Sequence, residues 1–342
     1  MIKFIRKTFY YLLFGAILVF GLSYYYDLRL DSVDHFFADL KSTFFTSGQN
    51  PFSENNDDPN IKKMDIQNSD ENLYKKIDRH ARACPDAVEG DIKSLAAYLS
   101  EVADSDIEKA RVIYVWLTDN ISYDDVGYNS GDYGDLSITG VLRRKTAVCD
   151  GFSTLFLALG SEMGLEINKV VGYAKGYSLS VGKALTETNH AWNTIKINGE
   201  WRVFDATWGQ GNATTNAYGE MESKKEFNNY WFDVDPYQSI FNHLPEKSSD
   251  AHVSPSINLA TYNSLPSVDN AYFILGFDGK ETYEDALSNK NNVYPNCYDL
   301  KIFARVKSAP KYKALYIGKN YKFELYIPVA EKLAIIDSDV NF

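Results

Sequence analysis

Three residues in the middle of the chain have the types and spacing that nucleophilic chemistry needs. Cys149 lies in Arg143-Arg144-Lys145-Thr146-Ala147-Val148-Cys149-Asp150-Gly151-Phe152. After it, Phe152, Leu155, Phe156, Leu159 and Met163 recur at helical spacing and Gly164 follows. That is the pattern of a helix buried on one face and stopped by glycine. Cys149 then sits at or just before the helix N-terminus, where free backbone N–H groups and the positive end of the dipole stabilise a thiolate. The same position also suits a small buried core residue, the ordinary fate of a free cysteine.

His190 and Asp205 follow in two strand-like runs, Asn189-His190-Ala191-Trp192-Asn193-Thr194-Ile195-Lys196-Ile197 and Trp201-Arg202-Val203-Phe204-Asp205-Ala206-Thr207. Between them stands Asn198-Gly199, the strongest short hairpin signal. A two-residue loop fixes the register, with Ile197 opposite Glu200, Lys196 opposite Trp201, and on to Trp192 opposite Asp205. His190, Trp192, Asp205 and Thr207 then share one face. His190 and Asp205 become diagonal neighbours with backbones roughly 7–8 Å apart, within reach of two inward-leaning side chains. A carboxylate there can orient the imidazole and fix its tautomer; a hydrogen-bonded surface pair is the plainer alternative. Cysteine, histidine and aspartate in this order make a Cys–His–Asp triad geometrically workable. Trp192 and Trp208 are candidate walls of the site for substrate, though core aromatics are equally expected there.

Other chemistries lack support. Cys84, Cys149 and Cys297 form no CxxC pair, and His35, His80, His190, His243 and His252 form no HExxH. No cluster has calcium-loop spacing, and Asp132 and Asp135 read as solvated loop residues. We therefore expect no metal and no cofactor. No phosphate-binding glycine loop and no serine-hydrolase elbow is present. The chain carries 35 basic and 46 acidic residues, a net charge of −11, which disfavours nucleic acid as a partner. Its 342 residues suffice for about two domains, and a mean hydropathy of −0.32 excludes a multi-span membrane protein.

Several stretches together resemble the transglutaminase-like superfamily, which shares the papain-type triad, and within it the kyphoscoliosis-type peptidase group. They are Glu108-Lys109-Ala110-Arg111 through Trp116, Asn120-Ile121-Ser122-Tyr123-Asp124, Val148-Cys149-Asp150-Gly151-Phe152, and His190-Ala191-Trp192-Asn193. Trp201 through Gly209, Trp231-Phe232-Asp233-Val234-Asp235-Pro236 and His243-Leu244-Pro245 complete the set. One departure follows Pro245, where Glu246-Lys247-Ser248-Ser249-Asp250 replaces the family's Trp-containing stretch. The resemblance implies an α+β papain/transglutaminase-like core of N-terminal helices, a central cysteine helix and an antiparallel sheet. It also implies cysteine-dependent acyl transfer on protein or peptide amides, with Cys149, His190 and Asp205 catalytic and either water or an amine as acceptor. Some members of the superfamily have lost triad residues and act as adaptors, so an idle, membrane-tethered binding or scaffold module is the alternative.

The flanks complete the expectation. Lys3, Arg6 and Lys7 precede an uncharged stretch from Thr8 to Tyr26. Residues 1–26 read as a signal anchor or as a cleavable signal peptide, either of which puts the remainder outside the cytoplasm. Residues 27–72 read as a spacer, 73–250 as the transglutaminase-like domain, and 251–342 as a small β-sandwich with strands expected at 271–277, 298–306, 312–317, 321–327 and 332–337. Oligomeric state is not legible.

Overall fold

The Asn198-Gly199 turn sets the sheet. Both residues take positive φ, 51° and 89°, the conformation a tight hairpin requires and that asparagine and glycine tolerate best. The turn joins β4 (His190–Ile197) to β5 (Glu200–Phe204), and the pairing runs from Ile197↔Glu200 to Asn193↔Phe204, the register expected from the turn. On its other edge β4 pairs with β3 (Ile167–Ala174), and β3 pairs in turn with β8 (His243–Pro245). The result is a four-stranded antiparallel sheet in the order β5-β4-β3-β8.

The computed structural model describes residues 74–177, 183–289, 291–297, 305–314 and 319–326. The expected membrane segment, all of the spacer, the strand at 332–337 and parts of those at 298–306, 312–317 and 321–327 lie outside these. Among the described residues no helix is long and apolar enough to cross a membrane; the transmembrane helix or signal anchor expected over residues 1–26 lies outside them and is unconfirmed.

Helices pack against the sheet. Before the sheet come α1 (Ile92–Ser100) and α2 (Asp106–Asn120). The start of α2 is fixed by Glu108, whose carboxylate accepts from the backbone N–H and the hydroxyl of Ser105. The sequence predicts one apolar face for α2, but Ala110 through Thr118 are all buried. The buried Arg111 is possible there because its guanidinium forks onto Asp78, Nε to Oδ1 and Nη2 to Oδ2, both at 2.8 Å. The cysteine helix, α5 (Cys149–Glu162), buries Phe152, Leu155, Phe156 and Leu159, and Phe156 meets Phe204 of β5 edge-on at 6.1 Å. Truncating such a buried aromatic costs about 3–5 kcal/mol. Between α2 and α5 lie β1 (Ser122–Tyr123), α3 (Asp125–Ser130), α4 (Ile138–Arg144) and β2 (Thr146–Ala147).

After β5 the chain turns at once into a short helix, α6 (Ala206–Gln210), then the β6 (Gly211–Thr215) and β7 (Met221–Lys225) hairpin, α7 (Pro236–Ser239) and β8. The mixed α+β papain/transglutaminase-like core is therefore present. The β-sandwich expected over 251–342 is not seen among the described residues. Its described part holds three helices, α8 (Leu259–Ser264), α9 (Asn270–Ile274) and α10 (Gly279–Ser288), and one antiparallel pair, β9 (Arg305–Ser308) with β10 (Glu324–Tyr326). The run at 271–277 reads as a strand because it is aromatic and apolar. Yet Tyr272 and Phe273 are both buried, and successive residues cannot share a strand's inner face. These helices form a second core with Leu244 of β8 and Tyr173 of β3.

Gly172 of β3 sits between His190 and Pro245 in the sheet. A Cβ there would lie 2.2 Å from the Leu244 carbonyl and 2.6 Å from the Trp192 ring. Gly172→Ala is therefore expected to push β8 away and to cost about 1–3 kcal/mol, read as a lowered urea midpoint with unchanged slope. Unchanged stability would show that β8 is free to shift.

Candidate functional site

Three strand and helix ends converge on one carboxylate. His190 opens β4, His243 opens β8, and Asp205 stands where β5 gives way to α6. The expected pairing of Trp192 with Asp205 does not form, because Asp205 leaves the sheet to cap α6, its Oδ1 accepting the Trp208 N–H at 2.9 Å. Its Oδ2 lies 2.7 Å from His190 Nε2 and 3.0 Å from His243 Nε2. All three residues are buried. Trp192, Trp208 and Trp231 surround them: His190 lies 5.3 Å from Trp208, and His243 lies 4.8, 4.4 and 4.8 Å from Trp192, Trp208 and Trp231 between ring centroids. Trp192 is fully enclosed and Trp208 half-buried.

The protons follow from the partners. His243 Nδ1 is buried and bonded to nothing, so a second proton on that ring would be an unsatisfied donor. Burial accordingly holds the His243 pKa below the ordinary value, although Asp205 opposes this. His243 is thus neutral and donates its Nε2–H to Asp205. For His190, burial also works against the charged ring, but Asp205, by charge and hydrogen bond, outweighs it and holds the pKa up at about 10, aided by a side-chain hydrogen bond with Cys149. Burial would raise the Asp205 pKa; the His190 charge and the two imidazole hydrogen bonds keep it well below the usual carboxylate range.

Cys149 is the first residue of α5 and is half-buried. Its side chain reaches His190, yet it is not part of the carboxylate-centred cluster. Among the described residues, the one group of three or more His, Cys, Asp and Glu side chains whose ligating atoms all lie within 4.8 Å of one another is His190, Asp205 and His243. This corrects the expected Cys–His–Asp acyl-transfer centre. The cluster is His–Asp–His and contains no cysteine, and its carboxylate is shared between two rings. The expected catalytic triad and cysteine-peptidase activity are set aside on that ground. Burial pushes the Cys84 thiol up to about 12 and the Cys297 thiol up to about 11, so neither replaces it.

Two imidazole nitrogens and one carboxylate oxygen also suit a divalent cation by type. Tetrahedral ligands at zinc distances stand about 3.3 Å apart. Here both nitrogens close on one oxygen at 2.7 and 3.0 Å, the geometry of N–H donors. His243 is the residue that the sequence reading left without a role. The His243-Leu244-Pro245 motif marked its place, but its contact with Asp205 spans 38 positions.

Residues 93–206 match the family described as the Transglutaminase-like superfamily. It is 28% identical over 211 residues to Kyphoscoliosis peptidase of Mus musculus, a match covering 61% of this chain and 30% of that protein. To Hillarin of Drosophila melanogaster it is 26% identical over 227 residues, covering 64% and 27%. The chain thus spans less than a third of the length of these relatives. Among solved structures it resembles arylamine N-acetyltransferase C from Bacillus anthracis at 13% identity and a TM-score of 0.26, covering 62% of this chain and 79% of that one. So loose a likeness carries no argument about the site.

The cluster makes stability depend on pH with a defined sign. The folded His190 pKa lies above its unfolded value of about 6.5, so its contribution is complete below that pH and is lost as pH rises through about 10. Asp205 has the opposite sign: its contribution is present above about 3.9 and fades as pH falls below it. Denaturant unfolding from about pH 7 to about pH 10 is expected to show falling stability in the wild type. His190→Gln is expected to flatten that slope; a slope unchanged by the substitution would place the titration elsewhere.

Proposed function

We propose that this chain is a transglutaminase-like binding module that holds a protein or peptide partner without turning over amides. The observation that carries the reading is the Asp205 carboxylate shared by two histidines in a buried cluster that contains no cysteine. The likeness to the superfamily points to protein or peptide partners in general. Cys149 and the half-buried Trp208 flank the cluster and belong to the contact surface, with Trp192 behind them as support. The core of residues 73–250 is the binding domain, and the polar stretch 27–72 is its spacer. The basic start and apolar heart of residues 1–26 support an exported form with the domain outside the cytoplasm.

The test compares the full chain with Cys149→Ala on a fluorogenic peptide library, with and without a primary amine as acceptor. The expected result is no turnover above that of the variant, with peptides still captured by both proteins. Cys149-dependent hydrolysis or amine incorporation would overturn the reading and restore an enzyme.

A further inference from the structure

We propose that the outer edge of β6 is a strand-addition site for an extended, basic peptide segment of a partner protein. The site deepens the binding reading and rests on it for assuming a protein partner. It follows from where the backbone hydrogen bonds of the β6–β7 hairpin run.

The two strands pair from Gly211↔Lys225 to Thr215↔Met221. Just beyond the ends of this ladder, the Glu226 N–H donates to the Gln210 carbonyl at 2.9 Å and the Asn216 N–H to the Glu220 carbonyl at 2.8 Å. Bonded and non-bonded pairs alternate along an antiparallel ladder, so Asn212 and Thr214 direct their backbone groups toward β7. Gly211, Ala213 and Thr215 then direct theirs away from it, with a repeat of about 7 Å. β7 shows the same alternation from its own side. The Asn129 side chain of α3 accepts from the Met221 N–H at 2.9 Å and donates to the Met221 carbonyl at 2.8 Å, and the Ser223 N–H donates to Asp125 Oδ2 at 3.0 Å. Side chains thus take the place of a strand and close that edge. The outer edge of β5 is closed as well, by reciprocal backbone bonds between Val203 and Val234 at 2.9 and 2.8 Å. By contrast, no described group bonds the outward N–H and C=O groups of Gly211, Ala213 and Thr215.

The strand itself, Gly211-Asn212-Ala213-Thr214-Thr215, has none of the lysines, prolines or bulges that ordinarily protect an exposed edge. Alternating main-chain donors and acceptors are satisfied by another extended main chain, which selects a peptide. A second copy of this chain does not suit, because five residues of edge fall far short of the roughly 20–30 residues a side of a stable protein interface. The edge is continuous with the contact surface of the cluster, since α6, which carries Trp208, runs directly into Gly211. At the other end the Tyr177 hydroxyl meets the Thr215 hydroxyl at 2.8 Å. A peptide laid antiparallel to β6 leads its C-terminal end toward Trp208.

Charge decides the side chain. Lys224 pairs with Glu226 at 3.1 Å and Lys225 donates to the Asp119 carbonyl, whereas no described group engages the carboxylate of the exposed Glu222. Glu222 stands opposite Thr214. A lysine opposite Thr214 on an added strand shares that face and reaches over the threonine toward the free carboxylate. Such a pair sets the register of the peptide.

The probe is a short fluorescent peptide of Val and Thr with a central Lys, measured by anisotropy with the full chain. It is expected to bind. N-methylation of the two residues flanking the Lys, whose N–H groups face β6, is expected to weaken binding at least about tenfold, while N-methylation of the Lys itself leaves it unchanged. Ala213→Pro removes one outward N–H and no bond to β7, and is expected to cause a similar loss with unchanged circular dichroism. Glu222→Lys, the second variant should the proline fail to fold, is expected to prefer a peptide with a central Glu. Equal affinity for the flank-methylated and unmethylated peptides, or equal affinity of wild type and variants, overturns the proposal. So does a dimer in sedimentation that Ala213→Pro dissolves, which makes a second copy the occupant. Peptide capture that survives Ala213→Pro overturns this edge and keeps the binding reading, whereas Cys149-dependent turnover overturns that reading without moving any of these readouts.

Discussion

The structure of the site depends on one buried carboxylate that must satisfy three donors. Asp205 takes the Trp208 backbone N–H on Oδ1 and two imidazole N–H groups on Oδ2. A buried anion is tolerated only when such partners surround it, and removing one partner of a buried pair typically costs about 3–5 kcal/mol. The same side chain caps a helix, ends a strand and sets the charge of His190. Fold and site are therefore coupled at a single residue.

The sheet exists to bring those donors together. The Asn198-Gly199 turn delivers His190 and Asp205 from adjacent strands. His243 comes from the far edge, through β3, and reaches Asp205 only because Gly172 lets Trp192 and the Leu244 backbone lie close together. The tryptophans around the cluster exclude water, which strengthens each hydrogen bond and also makes the orphaned Nδ1 of His243 intolerant of a proton.

What the sequence disclosed was local. The turn register and the cysteine at a helix start are each set by neighbours within a few positions. The likeness to the superfamily was legible because its motifs recur in order. The sharing of Asp205 was not, since it needs a contact between β8 and the end of β5 that no periodicity records. That contact is what overturns the chemistry the residue types imply. Arg111 was hidden for a similar reason, its partner Asp78 lying on another helix. The C-terminal helices were misread because consecutive buried aromatics imitate the composition of a strand, while helix caps such as Asp278, which accepts the Glu281 N–H, carry little weight in composition.

The most direct test of the account is the protonation of the two rings, read from the side-chain nitrogen shifts of histidine by NMR in the full chain near pH 8, about 1.5 units above the ordinary imidazole pKa. The account predicts that His190 is doubly protonated and that His243 is neutral with its proton on Nε2. A neutral His190 titrating near the ordinary value would contradict it, because the shared carboxylate would then not be holding the ring's proton.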